Sequence, residues 1–143
     1  MNISDLIITE PNVIPTSSGS IMHLLKNTDA VFRGFGECYL SSIGMNDVRA
    51  WKLHNLMTCN LLVIKGLVKF VFVDNRMINT SQTVTDEIII GPDNYKRITV
   101  PPGITFGFQG ICDDNLIINI ANICHNESEV SRFNIDSIKY NWN

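Results

Sequence analysis

No apolar run in this sequence reaches the roughly 18 residues that suggest a membrane span. No stretch of a dozen residues keeps clean helical periodicity either, and only the tail after Asn126 shows a weak helical pattern. Charge is sparse: charged residues make up 17% of the chain, and the net charge is -3. That balance argues against a protein that holds nucleic acid through its phosphates. The four cysteines, Cys38, Cys59, Cys112 and Cys124, form no C-x-x-C pair, so neither a zinc site nor a disulfide framework is indicated. Scattered thiols of this kind read as small buried hydrophobes in a reducing compartment. Met1-Asn2-Ile3-Ser4-Asp5 lacks a positive region followed by an apolar stretch, so a secretory leader is not expected and the cytoplasm is.

What the sequence does have is strand signal. Hydrophobic residues make up 45% of 143, enough for one domain with a single buried core. Alternation and β-branched content mark Ser20–Lys26, Gly36–Ile43, Val48–His54, Asn60–Lys65 and Leu67–Asp74. The same signs mark Glu87–Ile90, Arg97–Val100, Thr105–Gln109 and Asn115–Ile123. Turn chemistry separates them at Ser17-Ser18-Gly19, Gly44-Met45-Asn46-Asp47, Gly91-Pro92-Asp93-Asn94 and Asp113-Asp114. Lys65-Gly66 lies between two apolar runs so close together that a tight hairpin is expected. Pro101-Pro102-Gly103 stops one strand, and Ile104-Thr105-Phe106-Gly107-Phe108 begins another. Many short strands at regular spacing predict an all-β barrel or sandwich of jelly-roll type.

Several segments resemble the RmlC-like cupins, the family of the dTDP-4-dehydrorhamnose 3,5-epimerases. They are Gly19-Ser20-Ile21, Val48-Arg49-Ala50-Trp51-Lys52-Leu53-His54, Leu62-Val63-Ile64-Lys65-Gly66-Leu67-Val68-Lys69-Phe70 and Val100 to Phe108. The ending Ile138-Lys139-Tyr140-Asn141-Trp142 looks like the close of short bacterial members. The resemblance implies a cupin jelly-roll barrel, a double-stranded β-helix, in a single domain over residues 1–143. An N-terminal arm would occupy about residues 1–17 and a C-terminal tail about residues 126–143. A metal-binding cupin would carry His-x-His, a Glu, a Gly and a last His. At those positions this chain has Lys52-Leu53-His54, Cys59, Gly66 and Phe106. One ligand of four does not make a divalent site, so no metal and no other cofactor is expected.

The family's catalytic groups are replaced as well. In the epimerases a His base sits in Arg-Gly-Leu-His, which falls on Arg49-Ala50-Trp51-Lys52 and puts Lys52 where the base belongs. The family's Lys falls on Cys59 or Asn60, and its Tyr acid near Ile123 or Cys124. His54, two residues beyond Lys52, shares its strand face. An imidazole suits proton abstraction next to a ketone, and His54 and Lys52 are the catalytic candidates. His54 as a hydrogen-bonding or barrel-filling residue, and Lys52 as a cation for an enolate or a phosphate, stay open beside that reading.

Arg49, Trp51, Cys59, Arg97, Phe106, Asn122 and His125 are candidate substrate contacts. Arg49 stands at an odd spacing from Lys52, which on a regular strand puts it on the opposite face. Arg97 offers bidentate bonds to a diphosphate. Trp51 and Phe106 offer rings for stacking. Tyr39 is a replacement acid only if it faces the cavity, and His23 reads as a satisfied, partly buried residue.

The expected function is epimerase- or isomerase-like, a metal-independent proton transfer next to the ketone of a dTDP-linked deoxysugar. The partner is a small nucleotide sugar, with no nucleic acid and no membrane. A non-catalytic cupin that binds a sugar nucleotide or carbohydrate is the alternative, and a metal cupin using His54 and Cys59 is a third reading. The apolar strand near Ser18–Lys26, ahead of the barrel frame, predicts a homodimer in which it joins the neighbouring subunit's sheet.

Overall fold

The computed structural model describes residues 1–76 and 83–143. It is a cupin jelly roll built almost wholly of antiparallel strands. One five-stranded sheet has the order β1-β9-β6-β11-β4, with β1 at Ile7–Thr9, β4 at Glu37–Gly44, β6 at Cys59–Lys65, β9 at Arg97–Val100 and β11 at Asp114–Ala121. The second has the order β12-β5-β10-β7-β8, with β5 at Val48–His54, β7 at Val68–Asp74, β8 at Val84–Ile90, β10 at Thr105–Gly110 and β12 at Val130–Arg132. Among the described residues, strands β2 (Val13–Thr16) and β3 (Gly19–Met22) pair only with each other.

Alternation decides which residues meet between the sheets. Leu61 and Val63 of β6, Ile98 and Val100 of β9, and Ile117 of β11 point inward from the first sheet. Phe70 and Phe72 of β7 and Phe106 of β10 meet them from the second, all 5% exposed or less. The phenyl rings pack on one another, with centroids of Phe72 and Phe106 6.2 Å apart. On the outer face of the second sheet, Trp51, Val71 and Val73 form a smaller cluster covered by Trp142 from the C-terminal segment.

A tight turn forms at Lys65-Gly66, but the expected hairpin is corrected: β6 and β7 belong to different sheets, so the turn carries the chain from one sheet to the other. Gly66 has φ +76°, and a Cβ there would lie 2.3 Å from Asn115 Oδ1, so glycine is the residue that fits. Asn115 holds the turn by accepting from Leu67 N and donating to Ile43 O.

Two further local expectations are corrected. The strand expected over Ser20–Lys26 ends at Met22, because Gly19–Met22 folds back onto Val13–Thr16 and the chain then turns away. The weak helical pattern after Asn126 gives only two single-turn 3-10 helices, Glu127–Glu129 and Ile135–Ser137. Between them β12 adds an edge strand to β5. A segment this short cannot offset helix nucleation, whereas an edge of β5 supplies ready hydrogen-bond partners. Among the described residues no helix is long and apolar enough to cross a membrane.

Candidate functional site

One end of the space between the sheets is left unfilled, as a cavity of about 560 Å³. Tyr39, Ser41, Leu61, Ile117 and Asn119 line it from the first sheet. Arg49, Lys52, Phe106, Phe108 and Arg132 line it from the second. Leu61, Ile117, Phe106 and Phe108 give the cavity apolar surface, and the polar and charged groups converge on it from both sheets, as in small-molecule sites generally.

A β-bulge sets the cationic wall. Phe106 pairs with Lys52, and Phe108, two residues on, pairs with Arg49, so β5 carries one residue more than β10 across the same span. Phe106 and Phe108 share a face, and the bulge brings Arg49 and Lys52 onto that face together. The odd spacing that places Arg49 on the far side of a regular strand is thus corrected by the extra residue. Gly107 makes room for it: a Cβ there would stand 2.7 Å from Cβ of Ala50. Arg49 also donates to Ser42 O at 2.8 Å. Arg132, the cross-strand partner of Lys52, completes a group of three cations. It donates to Glu127 at 2.7 Å.

Behind Lys52, His54 is 4% exposed and its ring lies stacked 6.3 Å from that of Phe106. Its Nδ1 is 2.5 Å from Oε1 of Glu129. The other carboxylate oxygen accepts from the backbone N–H groups of Asn55, Leu56 and Met57 at 3.1, 3.0 and 3.3 Å. Burial opposes ionisation of Glu129, but the His54 bond and these amides outweigh it and hold the carboxyl below its ordinary range. Burial pushes the His54 pKa down in spite of Glu129, and Lys52 adds to the fall. Both directions describe one state, an ionised Glu129 accepting from the Nδ1–H of a neutral imidazole. Nε2 then carries the free lone pair, and among the described residues it has no hydrogen-bond partner.

The facing wall carries a proton donor. Asn119, 3% exposed, donates to the Tyr39 hydroxyl at 3.0 Å. Burial raises the Tyr39 pKa above that of a free phenol, so the hydroxyl stays protonated through neutral pH. Cys59 lies beneath and its thiol is pushed up to about 12 by burial. It is a thiol at neutral pH, and unfit as a nucleophile or metal ligand.

Of the residues singled out from sequence, the cavity gathers Arg49, Lys52 and Phe106, with His54 set behind them. Trp51 borders it, but its indole packs with Val71, Val73 and Trp142 and donates to Ile135 O. Cys59 is core. Asn122 accepts from Thr58 N at the start of β6. Arg97 stands apart in a separate small hollow, bound to Asp29 and Leu24 O, because it points from the outer face of β9. His125 is exposed and paired with Glu127. Asn119, Arg132 and Glu129 went unnoticed in the sequence, and the Asn126 cap that precedes Glu129 is the one local signal near it. Among the described residues no three His, Cys, Asp or Glu side chains stand together as a metal would need.

No protein-family model and no curated protein matches the sequence. Solved structures do match. A dTDP sugar isomerase from Desulfovibrio desulfuricans G20 is 29% identical, with a TM-score of 0.89, over 97% of this chain and 91% of its own. A dTDP-4-dehydrorhamnose 3,5-epimerase from Elizabethkingia anophelis NUHP1 is 16% identical, with a TM-score of 0.83, over 99% of this chain and 83% of its own. A dTDP-6-deoxy-D-glucose-3,5-epimerase from Legionella pneumophila, solved with dTDP-4-keto-L-rhamnose, is 17% identical, with a TM-score of 0.81, over 94% and 76%. The last two establish the fold that this chain shares with them.

Proposed function

We propose that this RmlC-like cupin is an epimerase or isomerase of a dTDP-linked keto-deoxysugar. The observation that carries the reading is a cavity with Lys52 on one wall and Tyr39 on the other, with the buried His54 set behind Lys52. A neutral His54 oriented by Glu129, with Lys52 beside it, belongs to one sheet. The protonated Tyr39 on Asn119 belongs to the other. Moving a proton on or off the carbon next to a ketone needs a base on one side and a donor able to quench the enolate. The likeness to the Desulfovibrio isomerase, at 29% identity over nearly the whole chain, supports the substrate class.

The residues divide the work. His54 takes the proton, Glu129 fixes its tautomer and ring, and Lys52 steadies the developing oxyanion. Tyr39 returns a proton from the opposite wall. Arg49 and Arg132 meet the diphosphate, where paired N–H donors suit phosphate oxygens, and Phe106 and Phe108 offer apolar faces to the sugar. The chain works as a homodimer, a reading supported by the apolar β2–β3 hairpin, which pairs with no other strand among the described residues.

The test is solvent exchange. Incubation with dTDP-4-keto-6-deoxyglucose in heavy water, followed by NMR, is expected to show deuterium entering at a carbon next to the ketone. Binding of the nucleotide sugar with no exchange would leave a non-catalytic binder and remove the enzymatic reading.

A further inference from the structure

We propose that Lys52 attacks the sugar ketone and carries it as a Schiff base, through which the proton transfers pass. The inference rests on the isomerase reading and replaces the purely electrostatic role of Lys52 with a covalent one. It begins from a contrast among the lysines. Lys65 is paired with Asp114, Lys96 with Glu10, and Lys69 donates to Trp142 O while lying over the Tyr140 and Trp142 rings. Lys52 alone among these four is half-buried within a cavity, and it forms no ion pair among the described residues. Its cross-strand neighbours are Phe106 on one side and Arg132, another cation, on the other. The one carboxylate beside Arg132, Glu127, is already held by Arg132 and His125. Glu129 is likewise held by His54 and three amides.

An amine so placed gives up its proton more easily than an exposed lysine, and the neutral amine is the nucleophile. Burial lowers the Lys52 pKa most and Arg132 lowers it further, while Cys59, Glu127 and Glu129 pull it back without reversing the fall. Cys59 opposes this only as a thiolate, and the pKa of about 12 keeps it a thiol. Leu61, Ile117 and Phe108 give the cavity apolar walls, and apolar surroundings are how Schiff-base lysines are activated.

The steps balance without an oxidant or reductant. The Lys52 nitrogen forms a bond to the carbonyl carbon, and a proton passes from nitrogen to oxygen to give a carbinolamine. Uptake of one proton from solvent expels that oxygen as water and leaves an iminium. His54 then removes the neighbouring C–H proton. The electron pair of that bond becomes the C=C bond of an enamine, and the iminium nitrogen takes up the displaced π pair. Reprotonation from Tyr39 and hydrolysis by one water return the ketone, the free amine and the borrowed proton. An iminium withdraws electrons from the adjacent C–H bond more strongly than a neutral ketone does. A Lys in place of the family's His thus supplies an electrophile where a base was lost.

The test traps the intermediate. The full chain is incubated with dTDP-4-keto-6-deoxyglucose and cyanoborohydride, digested, and its peptides are weighed. The expected product is a Lys52 peptide heavier by the sugar nucleotide less one oxygen, from loss of one water and gain of two hydrogens on reduction, suppressed by excess dTDP. Lys52→Arg, checked for folding by circular dichroism, is expected to give no adduct and to lose exchange by about a hundredfold or more, the scale of a lost catalytic group. Exchange by the wild type with no adduct on Lys52 overturns the covalent step and leaves the isomerase standing. Neither exchange nor adduct overturns both. Equal labelling of Lys65 and Lys52, or wild-type exchange by Lys52→Arg, also overturns the proposal.

Discussion

Oε1 of Glu129 lies 2.5 Å from Nδ1 of His54, with neither side chain more than 4% exposed. The carboxylate comes from a single 3-10 turn near the C-terminus and the imidazole from the end of β5, 75 residues earlier. The turn thus ties the last strand to β5 and fixes the imidazole in one contact.

Acid stability follows from that contact. The folded pKa of Glu129 is lowered from 4.5, so its contribution is fully present above the unfolded value and lost as pH falls through the folded one. Thermal melts of the wild type are expected to drop in Tm below about pH 4.5. Glu129→Ala leaves His54 and three amides facing a hole, and is expected to cost about 3 kcal/mol at pH 7. Denaturant unfolding across the acid range checks both, and a variant as stable as the wild type at pH 7 refutes the structural half of the pair.

The catalytic half shows in the pH profile. His54 has its pKa lowered from 6.5 by burial, with Lys52 and His125 lowering it further and Glu129 opposing. The base form therefore persists below the ordinary imidazole range, and the acid limb of kcat/KM for exchange is expected to fall at a pH under 6.5. Glu129→Gln removes the opposing charge, so the limb should move lower still while kcat falls. His54→Asn should cost roughly two to four orders of magnitude in turnover. A limb unmoved by Glu129→Gln places the titrating base elsewhere.

The barrel was legible because alternation and turns are local signals. Val48–His54 and the turns at Lys65-Gly66 and Pro101-Pro102-Gly103 stand where periodicity and turn chemistry put them, although the Lys65-Gly66 turn joins the two sheets where a hairpin was expected. The site was only half legible. A bulge leaves no local mark, since it depends on Gly107 of another strand admitting Ala50, and so Arg49 was assigned to the wrong face. Glu129 and Asn119 act through contacts 75 and 80 residues away in sequence, which no window of residues contains. Arg97 carried the right chemistry for a diphosphate but points outward from β9 toward Asp29.

The hairpin of Val13–Thr16 and Gly19–Met22 exposes Val13, Ile14, Ile21 and Met22, each 37% or more exposed, and every residue of its two strands is solvent-facing. Two strands with no third are marginal in water, and an apolar edge invites pairing with another chain. Sedimentation of the wild type at micromolar concentration is expected to give twice the mass of one chain. Replacing Ile14 and Ile21 together with Lys should give the single-chain mass with the barrel's circular dichroism unchanged. A monomeric wild type refutes the dimer.

Tyr39 separates exchange from net reaction. It stands on β4, hydrogen-bonded to Asn119 of β11, while His54 and Lys52 stand on β5 in the other sheet. Burial keeps its hydroxyl protonated above the range of a free phenol, so it donates at neutral pH and cannot itself begin the reaction as a base. Tyr39→Phe deletes one oxygen and leaves the ring, so packing changes little. The base side still removes and returns its own proton, and deuterium exchange in the recovered substrate should persist within about tenfold of the wild type, a change of roughly 1.4 kcal/mol in the barrier. Delivery from the opposite wall is lost, and formation of rearranged or inverted sugar should fall by about two orders of magnitude or more. Loss of both in equal measure would mean that Tyr39 binds the ketone in every step, and that the donor wall described here is a binding wall.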